Sequence, residues 1–93
     1  MSTFLQTQYQ KLCLDRDNLS RKLEATKLQV QALEVSKMAT NATPDMLVVM
    51  DKSIASRTML MDATNDELFA TECILQVYEE AMLTELETKG SPH

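Results

Sequence analysis

The sequence contains one glycine, two prolines, no tryptophan and only two residues each of Tyr and Phe. Turn-rich β architectures and phosphate-cradling loops both require glycines at set positions, so a single one argues against either. The only histidine is His93, at the end of the chain, which leaves no base to activate a serine or cysteine. Together with Cys13 and Cys73 it makes three soft ligands, far apart, where a zinc site needs about four. Long apolar runs are also missing, the longest being Met46 to Met50, well below the roughly 18 residues of a membrane span. These shortages predict a non-enzymatic protein with no metal, no cofactor and no small-molecule substrate.

A net charge of -5 and a pI near 4.7 oppose nucleic acid and anionic lipid as partners. The lack of an apolar leader and the two cysteines predict a reduced, cytoplasmic setting without membrane insertion. Asn41-Ala42-Thr43 matches a glycosylation sequon but is read as coincidence in that setting.

What remains is abundant Leu, Ala, Met, Glu, Lys and Gln, the composition of long helices, with no alternating strand pattern. In the first half, Leu5, Tyr9, Leu12, Arg16, Leu19, Leu23, Thr26, Val30, Leu33 and Lys37 fall on the a and d positions of a coiled coil. Of these, Leu5, Tyr9, Leu12, Leu19, Leu23, Val30 and Leu33 form the expected interface seam. The stems of Arg16 and Lys37 are expected to lie along it with their charges in water. A second stripe, Ala25, Leu28, Ala32, Val35, Ala39 and Ala42, runs in the same steps on another side of the helix. Two stripes require two partners.

Pro44 breaks the pattern, and Thr43-Pro44-Asp45 restarts it as an N-cap, a first helical residue and an acid at the positive helix end. The reading is an all-α chain folded as one αα-hairpin over residues 1–93. Helix 1 covers 3–39, a turn 40–43, helix 2 44–89 and a loose end 90–93, with Gly90 as a left-handed C-cap. Thr64 to Glu67 resembles a capping box and marks a candidate kink at 62–65.

Helix 2 also shows two stripes. Leu47, Met50, Ile54, Met61, Leu68, Leu75, Tyr78, Met82 and Leu86 run along one side, with Leu60, Ala63, Ala70, Ile74, Val77 and Ala81 beside them. Surplus stripes predict packing into a multi-helix bundle with other chains. Helical spacing further predicts ion pairs Lys11–Asp15, Asp17–Arg21, Glu24–Lys27 and Glu34–Lys37. A turn centred near residue 42 makes facing residues total about 84 and puts Cys13 and Cys73 at similar heights, as small buried residues rather than a redox pair. Five of the seven methionines fall between 38 and 61, a soft apolar concentration around the tip that suits either a helix core or an adaptable partner contact.

The segment Ala70-Thr71-Glu72, Ile74-Leu75, Tyr78 and Glu80-Ala81-Met82 resembles the core helix of the tumour-susceptibility subunit of ESCRT-I, a vesicle-sorting complex of helical hairpins. The likeness spans about thirteen residues; the proline-to-helix spacing differs and no basic segment follows. It implies a vesicle-sorting subunit. The residues by themselves predict a coiled-coil assembly subunit of a trafficking, tethering or cytoskeletal complex, with a self-assembling scaffold, for instance of viral type, as the alternative.

Overall fold

A computed structural model describes residues 3–39 and 41–90 of the chain, with side chains through Leu86. Two helices account for nearly all of it, α1 (Thr3–Ala39) and α2 (Pro44–Gly90), packed against each other as an antiparallel hairpin. The result is a rod of 76 × 16 × 16 Å with a radius of gyration of 21.1 Å. A compact domain of this length would have a radius of about 12 Å.

The helices hold many Thr and Ser residues because their hydroxyls find local acceptors. Thr7, Thr26, Ser36, Thr58, Thr71 and Thr84 each donate to the carbonyl four residues earlier at 2.8–2.9 Å. At the turn, Thr43 caps α2 as expected: its Oγ1 accepts from the Met46 amide at 3.3 Å and its carbonyl from the Leu47 amide at 3.0 Å. Residues 64–67 do not restart a helix, since α2 is continuous through them. Thr64 is instead 2% exposed and occupies the seam. Gly90 is also helical, and no described residue has positive φ, so the left-handed cap is not formed there. The expected loose residues 91–93 lie outside the described residues.

Hydrogen bonds from Tyr9 to Glu79, from Arg57 to Gln29 and from Lys37 to Asp51 cross the hairpin. Their partners' numbers total 88, 86 and 88, so residue i of α1 faces residue 87 − i of α2 to within about one position. This corrects the expected total of 84. The physical reason is overshoot. Ala39, the last residue of α1, is level with residue 48, so the first turn of α2 projects beyond α1. Met46 is exposed in that projecting turn, and Val48 and Val49, level with the last turn of α1, are exposed because they lie off the seam.

Candidate functional site: the helical seam and two outer stripes

The a and d residues of α1 all turn toward α2. Leu5, Tyr9, Leu12, Leu19, Leu23, Val30 and Leu33 are half-buried, and Thr26 is 5% exposed with its hydroxyl on the Lys22 carbonyl. On α2 the residues at 47, 50, 54, 57, 61, 64, 68, 71, 75, 78, 82 and 85, in unbroken three- and four-residue steps, are all protected, with Ser53 and Ala81 half-buried beside them. Leu47, Met50, Ile54, Met61, Leu68, Leu75, Tyr78 and Met82 are where the sequence pattern placed them. Leu86 is not: the four-residue step after Met82 overruns the three that the repeat requires, so Glu85 takes the seam and Leu86 is exposed.

Arg57, Thr64, Thr71 and Glu85 are the seam residues that apolar patterning misses, because they are polar. Extending the strict heptad from Leu47 and Ile54 would have found them. The register sets α1 a positions opposite α2 d positions: Tyr9 with Tyr78, Arg16 with Thr71, Leu23 with Thr64, Val30 with Arg57 and Lys37 with Met50. Each of these layers holds a polar group, whereas the alternate layers are apolar apart from Thr26. Among the described residues Leu75 is the one hydrophobic residue that is fully buried, at 3% exposure.

The charged seam residues reach out at the edges. Lys37 pairs with Asp51 across the hairpin instead of with Glu34, and Arg16 pairs with its neighbour Asp17 at 3.4 Å. The expected pairs Lys11–Asp15, Asp17–Arg21 and Glu24–Lys27 are not formed. Tyr9 donates to the Glu79 carboxylate at 2.9 Å, a bond that, with some burial and the nearby negative charge, holds its phenol above the ordinary tyrosine value. Cys13 and Cys73 are both free thiols. They share a height, but Cys73 sits on the outer side of α2 and is exposed, which corrects the expectation that both are buried.

The second stripes remain uncovered. Ala25, Leu28, Ala32, Val35 and Ala39 are exposed on α1, with Leu28 at 55% and Val35 at 64%. On α2, Leu60, Ala63, Ala70, Ile74 and Val77 are exposed and Ala81 is half-buried. The segment likened to the vesicle-sorting subunit divides accordingly, with Leu75, Tyr78 and Met82 inside and Ala70 and Ile74 outside. Among the described residues fifteen large hydrophobic residues are exposed against one that is buried.

Among the described residues no group of three or more His, Cys, Asp or Glu is placed to hold a metal ion. No helix there is long and apolar enough to cross a membrane. Comparison of the chain with protein families, with curated proteins and with solved structures finds no match in any of the three.

Proposed function

We propose that this protein is a non-enzymatic assembly subunit, a hairpin that docks its outer stripes against helices of other chains to complete a multi-helix bundle. The reading extends to a cytoplasmic trafficking, tethering or cytoskeletal complex. The supporting observation is the apolar surface left after the hairpin has closed. The accessible area is 6980 Å², where a compact protein of 10.5 kDa would expose roughly 5,400 Å². The difference, about 1,500 Å², exceeds the roughly 800 Å² that one partner contributes to a specific interface of standard size. Burying it is the driving force for assembly, and the seam of α1 and α2 is what keeps the stripes in fixed relative positions.

The test is sedimentation of the full chain, alone and mixed with helical polypeptides, beside the variant Leu28→Lys/Val77→Lys. Both sites are exposed, so helix content by circular dichroism should be unchanged while association is lost. A wild-type chain that stays a single copy at high concentration and ignores every helical polypeptide offered would refute the reading.

A further inference from the structure

A second seam runs along the outer surface of α2. It extends from Met46 and Val49 to Ala81 and Thr84 in three- and four-residue steps, twelve positions of which one, Glu67, is charged. The row on the other flank of α2, from Val48 to Leu86, holds Phe69 and Leu83 but also Asp51, Asp62, Glu72 and Glu79. On α1, Lys11, Asn18 and Arg21 interrupt the outer row of Phe4, Leu14 and Leu28. At about 100° per residue the outer seam of α2 points roughly 110° away from the seam with α1, so α1 does not cover it. Met46, Val49, Leu60, Ile74 and Val77 on it are exposed.

This seam is complementary to itself. Laid antiparallel against its own copy with facing numbers totalling 130, it places Leu60 against Ala70, Ile74 against Ser56 and Val77 against Ser53. Toward the ends Val49 meets Ala81 and Met46 meets Thr84, and at the centre Glu67 meets Ala63. Every layer thus joins a bulkier residue to a smaller one, the condition for interdigitated packing. The surface already has a matching hollow: Ser53 and Ser56 floor a space of about 530 Å³ walled by Arg57, Met59 and Leu60, where Ile74 and Val77 of the copy would enter. Glu67 lines a recess with Asp15 and Asn18 of α1, which gives its carboxylate room to leave the central layer.

Resting on the assembly reading above, we infer that the outer seam of α2 is a dimer contact, occupied by the same seam of a second copy in antiparallel orientation. Matching between the two halves of one helix is what a copy requires and a foreign helix does not. The other alignments of two copies lack it. In parallel, Glu67 meets Glu67, Lys52 meets Lys52, and Ser53, Ser56, Ala63 and Ala70 each face themselves across a gap. An antiparallel shift of one repeat sets Met46 against Val77 with Ser53 against Ala70, or Leu60 against Val77 with Ser56 against Ala81. Either shift mixes crowded layers with empty ones.

The rim agrees with the same alignment. Lys52 is level with residue 78 of the copy, about 3 Å along the axis from Glu80, and symmetry forms that pair twice. Asp66 meets its own counterpart at the rim, a like-charge contact that the two pairs oppose. The seam is about 57 Å long, and a strip about 10 Å wide removes roughly 600 Å² per copy, or about 1,200 Å² in total. That lies at the lower limit for specific interfaces and describes a reversible dimer.

The experiment uses the full chain. Sedimentation equilibrium is expected to give a monomer–dimer system. Leu60→Ala and Ala70→Leu should each weaken the dimer about tenfold, and the two together should restore it to within about threefold, with helix content unchanged throughout. Cys73 is an exposed thiol, so in a Cys13→Ser background it takes a single spin label. Labels on the two copies should lie about 25–30 Å apart, where a parallel dimer would hold them about 10–15 Å apart. The short distance, or a dimer indifferent to both single substitutions, overturns the inference. A chain that stays monomeric at high concentration but binds helices of other sequence also overturns it and leaves the assembly reading standing. One that stays monomeric and binds none removes both.

Discussion

Arg57 reaches across the hairpin to donate through Nη1 to the side-chain oxygen of Gln29, while its own Nε is buried without a partner. A guanidinium in a seam layer opposite Val30 thus has one satisfied arm and one unsatisfied donor, and a buried donor without an acceptor costs about 1–3 kcal/mol. Arg57→Met keeps the stem and removes that penalty. It is expected to stabilise the hairpin by roughly 1 kcal/mol in chemical denaturation, whereas Gln29→Ala should destabilise it.

The Tyr9–Glu79 bond carries a pH signature. The phenol's folded value is raised, so the contribution is complete below the ordinary tyrosine value near 10 and is lost as pH rises through the raised one. NMR titration of the Tyr9 ring carbons should show deprotonation above the ordinary value. In Glu79→Gln the midpoint should fall toward it, and the decline of hairpin stability at high pH should become shallower.

Thr43 is the hinge of the chain reversal, and its side chain satisfies an amide in the first turn of α2. Thr43→Ala should cost about 1 kcal/mol of stability, with the loss concentrated in faster hydrogen exchange at the amides of Met46 and Leu47.

Leu75 and Ile74 are neighbours with opposite roles. Leu75→Ala removes the most buried apolar side chain and should cost about 2–4 kcal/mol. Ile74→Ala, at a position 46% exposed, should cost less than about 1 kcal/mol in the isolated chain. Equal losses in thermal denaturation would mean that α2 is rotated about its axis, with Ile74 sharing the seam with Leu75.

These contrasts show what the sequence alone could reveal. The α1 seam was legible because seven of its ten residues are apolar and the rest keep the spacing. The reversal at Thr43-Pro44 was legible because cap, proline and acid each have a local physical reason to stand there. The polar half of the α2 seam was not, since Arg57, Thr64 and Thr71 look like solvent-facing residues until a facing helix is supplied. Thr64-Asn65-Asp66-Glu67 illustrates the same limit: the local capping signal is real, but the opposing α1 residues favour continuous helix and bury the threonine. The relative heights of the two outer stripes depend on the register in which facing residue numbers total about 87, and propensity and periodicity within either helix contain no information about that register.

That register also decides which misalignments are tolerable when the two arms zip together. Sliding them by one repeat toward the open end would seat Lys37 opposite Arg57, forcing two cations into one layer and stripping Asp51 of its ammonium partner. The basic residue nearest the bend therefore acts as a detent, making that stagger unfavourable before the distal leucines have engaged.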